Sequence, residues 1–258
     1  MKIYSWNVLF RNKELDRVFA FIRDTEFDIF CLQEVPGSLL EQLKQLPLTV
    51  AAAIDVEKIL DRGVVPIYNV ILTRYPLVHE GTVAFPEYWS LLPLRTRLFV
   101  QLMPEKFFSK IRNRRALYAD VLVHDTLVRV FNLHLILAHP TWRLTEFETA
   151  MAERDPSRPT IVCGDFNTIE APHMMLLNWL LGGKLSDAFF HRRERTRIEQ
   201  QFVEHELQNA LQGSVTHPLS RSQLDHILLS HSFSIRHAAV LPESIGSDHH
   251  PIYVETTS

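Results

Sequence analysis

Ser247-Asp248-His249-His250-Pro251-Ile252 places an acid and two imidazoles just ahead of the chain's last apolar run. Three short motifs precede it in order. Trp6-Asn7 ends the first apolar run, Leu32-Gln33-Glu34 ends the second, and Gly164-Asp165-Phe166-Asn167 follows a third. Each adjoins a stretch that reads as buried strand and ends in acids, amides or imidazoles. Polar side chains set repeatedly just past strand ends are how an α/β active site is written in a sequence.

Working outward, strand and helix patterns alternate. Leu15, Val18, Phe19 and Ile22 fall at i, i+3, i+4 and i+7, which predicts an amphipathic helix over 12–25. Residues 28–32 read as a short strand, and Leu39, Leu40, Leu43 and Leu46 mark a second helix. Residues 67–73 read as a strand. Residues 117–123 and 127–133 read as paired strands joined at His124-Asp125-Thr126. A helix is predicted over 141–152, with Trp142, Phe147, Ala150 and Met151 inward, and a strand over 160–163. Residues 172–181 predict a helix closed by Gly182-Gly183. Ile198, Phe202, Val203, Leu207 and Leu211 predict another, stopped near Gly213. The last strands are expected at 224–229 and 252–254. Strand, polar motif and helix recur at 28–46 and 160–181, a loose echo of two βαβ-like lobes. No low-complexity linker interrupts the pattern, so residues 1–258 are expected to form one domain.

The bulk properties narrow the class. The 258 residues are 46% hydrophobic and 22% charged, with a mean hydropathy of -0.03, values of a globular chain with a large core. A formal charge of -3 gives no global basic field for nucleic acid or anionic lipid, although a local patch can do that work. Cys31 and Cys163 lie in apolar runs and are expected to be free thiols. The chain enters a strand pattern at once, without a leader-like apolar region. No run approaches the roughly 18 apolar residues of a membrane span. A cytoplasmic, monomeric protein without membrane insertion is expected.

Glu34, Asp165, Asp225 and Asp248 adjoin or interrupt apolar strands, where an unpaired carboxylate is costly. Asn7, Asn167, His134 and His249 hold similar positions. Hard oxygens of this kind suit Mg²⁺, Mn²⁺ or Ca²⁺. Zinc is disfavoured, because the chain has two cysteines, Cys31 and Cys163, far apart, and no Cys-x-x-Cys pair accompanies the histidines. Taken singly, each has an ordinary reading: Asp165 as an Asx-turn cap, Glu34 as a solvated strand end, His134 as a hydrogen-bonded core histidine, Asp225 as half of a surface pair, Asp248 as a turn cap. Their shared placement at strand ends argues for one site. Phosphate-loop, nucleophile-elbow and Cys-x-x-Cys motifs are absent.

The ordered set Trp6-Asn7, Leu32-Gln33-Glu34-Val35, Asn132-Leu133-His134-Leu135, Gly164-Asp165-Phe166-Asn167, Leu224-Asp225-His226-Ile227 and Ser247-Asp248-His249-His250-Pro251 resembles the motifs of the endonuclease/exonuclease/phosphatase superfamily, the DNase I-like group. Ile71-Leu72-Thr73-Arg74-Tyr75-Pro76 and Thr216 add to the likeness. The resemblance implies a four-layer α/β/β/α sandwich with its site at one end of two packed sheets. It implies a Mg²⁺- or Mn²⁺-dependent phosphoesterase. Glu34 would be the main metal ligand, with Asn7 and Asp248 supporting the metal site. Asp165 would align and deprotonate the attacking water, and Asn167 would bind a phosphate oxygen. His249 and His134 would serve the phosphate, and Asp225 would orient a histidine. Two positions depart from the pattern. Leu9 stands where abasic-site endonucleases carry an acid, and His226 where many members carry Tyr. Leu9 and His134 together weigh against an abasic-site specialist.

Residues 85–115 interleave aromatic and aliphatic side chains with bases. This suits a nucleic-acid strand or a phospholipid surface, and an ordinary packed hairpin and helix would look the same. Arg74, Arg112, Arg114 and Arg115 are the expected substrate contacts. Arg192, Arg193, Arg195 and Arg197 read as a solvated helix end. The expected activity is phosphodiester hydrolysis, as in a nuclease. Phospholipid phosphodiesterase, phosphomonoesterase and an inactive binding module stay open.

Overall fold

In a computed structural model, all residues are described except 62, 105–108, 189–191 and 258. The elements in order are β1 (Lys2–Asn7), α1 (Leu15–Asp24), β2 (Ile29–Pro36), α2 (Gly37–Leu43), β3 (Thr49–Leu60), β4 (Gly63–Thr73), β5 (Leu77–Ala84), α3 (Leu94–Leu102), β6 (Lys110–Arg112), β7 (Arg115–Val123), β8 (Thr126–His134), α4 (Pro140–Met151), β9 (Thr160–Asp165), α5 (Met175–Leu180), α6 (Arg193–Glu204), β10 (Leu207–Asn209), β11 (Asp225–Ser230), β12 (Ser234–Val240) and β13 (Ile252–Thr257). They build two mixed sheets, ordered β12-β13-β1-β2-β4-β3-β6 and β10-β11-β9-β8-β7-β5.

Strand alternation makes the layers. Ile3 of β1, Ile29 and Cys31 of β2, and Ile161 and Cys163 of β9 point between the sheets. Tyr4 and Trp6, and Phe30 and Leu32, point the other way, onto Val18 and Ile22 of α1 and the leucines of α2. On the second sheet, Phe131, Leu133 and Val162 face Phe147 of α4 and Ile198 and Phe202 of α6. The result is an α/β/β/α sandwich. Each fully buried aliphatic side chain contributes roughly 1.5–3 kcal/mol. Cys31 and Cys163 are buried free thiols that face each other between the sheets.

Each sheet contains one parallel pair, β1 with β2 and β8 with β9, and each pair encloses a helix, α1 or α4. The other neighbours are antiparallel. The strands of the sequence echo, at 28–46 and 160–181, are the second strands of these two units, and the helices that follow them lie outside the units. The β7–β8 turn is closed by His124 (φ 43°) and Asp125 (φ 68°), a two-residue hairpin whose left-handed residues match the strand twist.

Three expectations change. The helix predicted to run to Gly213 stops at Glu204. Glu206 turns left-handed (φ 52°) and Leu207 joins β11 as an edge strand, because its side chain is needed in the sheet-helix core. The helix over 172–181 is a 3-10 turn at Pro172–Met174 followed by the shorter α5. Strands β3, β5 and β12 were not foreseen. The alanines of β3 have weak strand propensity, and only pairing with β4 along its length reveals it. No helix among the described residues is long and apolar enough to cross a membrane.

Candidate active site

The chain reverses at the carboxyl ends of both parallel pairs, and there the polar motifs meet. In the β1–β2 pair Asn7 lies beside Gln33, and in the β8–β9 pair His134 lies beside Asp165. Asp225 of β11 stands opposite Asp165. A bulge between Leu32 and Val35 gives β2 one residue more than β4 there, and Glu34 takes a left-handed conformation (φ 56°). Such bulges re-aim a side chain. Gly164 (φ 148°) is required where it stands, since a Cβ would lie 1.8 Å from the Leu133 carbonyl oxygen.

Buried amides bolt the sheets together beneath the site. Gln33 donates to Asn132 Oδ1 (2.7 Å), and Asn132 donates to the carbonyls of Leu32 and Val70 (2.9 Å each). The last motif is clamped against β1. Trp6 Nε1 donates to the His249 carbonyl (3.1 Å), and Ser247 Oγ donates to that of Asn7 (2.7 Å). The Thr216 hydroxyl accepts the backbone N–H groups of Leu224 and Asp225.

Two carboxylate-imidazole pairs result. His134 Nδ1 is 2.6 Å from Asp55 Oδ2, and His249 Nδ1 is 2.8 Å from Asp225 Oδ2. Both Nε2 atoms then face Asp165 Oδ2, at 3.8 Å and 3.7 Å. Asp165 also accepts Asn7 Nδ2 (3.0 Å) and the Asn167 backbone N–H (2.9 Å). Burial disfavours the cationic imidazoles, but the facing carboxylates outweigh it. His134 is pushed up to about 9 by Asp55, Asp165 and Glu34, and His249 up to about 10, chiefly by Asp225 and Asp165. Burial likewise raises the Asp165 carboxyl, with Asp225 adding to it against the pull of the two histidines.

Glu34 sits beside this group. Its Oε2 accepts the Phe10 backbone N–H (3.1 Å), and its Oε1 faces His134 Nε2 at 3.9 Å, beyond hydrogen-bond reach. Burial raises its carboxyl, but Lys58 at 4.0 Å, His134 and the Phe10 N–H reverse this and hold it below its usual value. Asp248 is half exposed. Burial raises it too, and His217 and His249 bring it down. Among the described residues, two clusters have ligating atoms within 4.8 Å of one another: His217, Asp248 and His249, and Asp165, Asp225 and His249. Asn167 (φ 52°) donates its side-chain amide to the Leu135 carbonyl (2.9 Å). That leaves a second amide N–H for another acceptor.

The structure thus brings together Asn7, Glu34, His134, Asp165, Asn167, Asp225, Asp248 and His249. The expected arginines have different settings. Arg74 donates to the Phe27 carbonyl (2.7 Å) at the opposite end of β2. Arg114 is buried, ion-paired with Glu146 and donating to the His134 carbonyl, so it braces β8 rather than facing solvent. Arg112 pairs with Glu57 (2.6 Å), and Arg115 is exposed at the start of β7. The solvated reading of the second basic cluster fails at Arg195. It is buried against Glu170 and against Nε2 of His226, whose ring stacks on Phe166. Sequence reasoning missed Asp55, Lys58 and His217. An acid inside an apolar run was the available signal for Asp55.

A family model for the endonuclease/exonuclease/phosphatase family matches residues 4–249. The chain belongs to this family. A family member from Beutenbergia cavernae superposes with a TM-score of 0.69 at 17% identity, covering 99% of this chain and 71% of that one. A mannosyl-6-phosphatase from Bacteroides thetaiotaomicron gives 0.62 at 18%, covering 100% of both chains. D. rerio TDP2 complexed with a single-strand DNA product gives 0.61 at 14%, covering 100% of this chain and 99% of that one. No curated protein sequence matches the chain. The likeness places the sandwich in the DNase I-like fold. Members of the family act on phosphate esters.

Proposed function

We propose that the protein is a divalent-metal-dependent phosphodiesterase that hydrolyses its substrate by in-line attack of water. The observation that carries this reading is the convergence of His134 Nε2 and His249 Nε2 on one oxygen of Asp165, each imidazole backed by its own carboxylate.

Asp165, with its carboxyl raised by burial, is suited to take the proton of an attacking water. His249 and His134 keep their protons at neutral pH and donate toward the oxygens where negative charge builds. One of them can pass its proton to the leaving oxygen. Asp55 and Asp225 hold each ring with Nε2 turned to the reacting centre. Asn167 offers its free amide N–H to a phosphate oxygen.

The donor set fits Mg²⁺ or Mn²⁺. Glu34 is a carboxylate with one oxygen outside hydrogen-bond reach of its neighbours, and Asn7 and Asp248 add oxygens, all hard ligands. Glu34, Asn7 and Asp248 would hold the ion, which when bound supplies charge stabilisation to the phosphoryl group.

The test is a panel of substrates assayed with Mg²⁺, Mn²⁺ and EDTA: an aryl phosphodiester, an aryl phosphomonoester, single- and double-stranded DNA, RNA, sphingomyelin and inositol phosphates. Diester turnover abolished by EDTA and lowered roughly 10²–10⁴-fold in Asp165→Asn is expected. Turnover of monoesters alone would make it a phosphatase instead.

A further inference from the structure

The described residues between β5 and β7 carry α3 and β6, and β7 begins at the active-site end. Ala84 pairs with Arg115 in the sheet, Leu117 lies opposite Asn132, and Arg114 reaches the His134 carbonyl. Within this segment, α3 has its hydrophobic side reversed. Its buried residue is Thr96, while Leu94, Leu98 and Leu102 are 64%, 47% and 83% exposed. Their i, i+4, i+8 spacing puts them in one row along the outward face. Leu91, just before the helix, is 65% exposed, and Met103 just after it is 37% exposed. Arg95 donates to the carbonyls of Trp179 (3.0 Å) and Gly183 (2.7 Å), fixing the helix onto α5 with its leucines outward.

We infer that this leucine row docks the protein on an anionic phospholipid surface, with the mouth of the site held toward the headgroups. Three observations favour lipid over other occupants. The exposed apolar residues are aliphatic, whereas Phe85 and Tyr88 are buried. A nucleic-acid strand takes aromatic platforms for its bases, and hydrocarbon takes leucine. The charge is complementary. No acid occurs from Tyr88 to Pro104, between Glu87 and Glu105; Arg97 lies within the stretch beside the inward-held Arg95, and exposed Lys110 sits over the Trp89 ring at 5.6 Å. The face is also small. A nine-residue helix is about 14 Å long and roughly 10 Å across, so its outer face covers on the order of 150 Å², far short of the roughly 800 Å² per partner of a stable protein interface, while an interfacial helix needs only one apolar stripe. Phe107 and Phe108 lie outside the described residues.

The docking rests on the leucine row and the bases beside it. Its use, bringing headgroup phosphodiesters to Asp165, rests on the proposed phosphodiesterase activity. The experiment keeps the two apart. Full-length protein is sedimented with vesicles of phosphatidylcholine alone and of phosphatidylcholine with phosphatidylglycerol, and hydrolysis of a soluble aryl phosphodiester is measured in parallel. Wild type is expected to sediment with the mixed vesicles and less with the neutral ones. The triple variant Leu94→Ser, Leu98→Ser, Leu102→Ser should partition roughly a hundredfold less, with unchanged melting temperature and unchanged turnover of the soluble diester. Lys110→Glu should weaken binding to the mixed vesicles and leave the neutral ones unaffected. Wild type remaining in the supernatant with both vesicles would overturn the proposal. So would a triple variant that sediments like wild type, or a wild-type dimer in sedimentation velocity that the triple variant dissolves, which would give the face to a second copy. A soluble diester left intact by a protein that still binds vesicles would count against the activity and not against the docking.

Discussion

Asp55 and His134 come from different sheets, and their side chains meet with the carboxylate 2.6 Å from Nδ1. The pair fixes which ring nitrogen faces Asp165, and its negative charge helps keep that nitrogen protonated. Asp55→Asn should therefore move the alkaline limb of the kcat/KM profile to lower pH, because His134 is no longer held up near 9. It should also lower turnover, by roughly 10²-fold or more. A profile with an unmoved alkaline limb would reduce Asp55 to a packing role.

The metal-free protein should lose stability as the solution becomes alkaline. His134 and His249 have folded values of about 9 and about 10, against roughly 6.5 when unfolded. Between these limits the native state binds more protons than the unfolded state, so stability falls with rising pH. Their contribution is fully present below about pH 6.5 and is lost as pH rises through 9 and 10. Thermal unfolding in EDTA should show a Tm lower at pH 9.5 than at pH 6.5 by roughly 5–10 °C. The double variant His134→Asn, His249→Asn should flatten that trend.

Glu34→Gln removes the charge but keeps the shape. Calorimetric titration with Mn²⁺ should show affinity reduced by more than the roughly 10–100-fold that loss of an outer-shell partner costs. Unchanged affinity would move the ion to one of the histidine-aspartate clusters, around Asp248 or Asp225.

Arg114→Ala should destabilise the fold by about 3–5 kcal/mol, because it leaves the Glu146 carboxylate buried without its cation. Arg115→Ala, one residue on and exposed, should cost at most about 0.5 kcal/mol. Urea unfolding of both variants checks the contrast. Equal effects would mean that Arg114 does not brace β8.

What the sequence made legible was local. Strand ends carrying Asn7, Glu34, His134, Asp165 and His249 could be read because each motif sits where an apolar run stops. The partner of His134 could not. Asp55 lies on an alanine-rich strand whose existence depends on β4, 14 residues from Asn69, which donates to it (3.3 Å). His217 was hidden for a similar reason, since only the fold brings it to Asp248. Arg114 misled because a base among aromatics reads as a surface contact, and its buried partner Glu146 lies 32 positions away. The extended helix past Glu204 was read from a period that Leu207 and Leu211 continue. Those leucines serve two different cores.

The Gln33–Asn132 bond lies one residue before Glu34 and two before His134. With the bonds from Asn132 to Leu32 and Val70, it ties the two sheets at the height where the reacting groups begin. The spacing between Glu34 and His134 is therefore a dimension of the sandwich, like its thickness, and not a setting of any loop. Such a centre has no halves to close around a substrate. On the proposed phosphoesterase reading, discrimination among esters falls to what surrounds the rim, while the floor of the site keeps its measure.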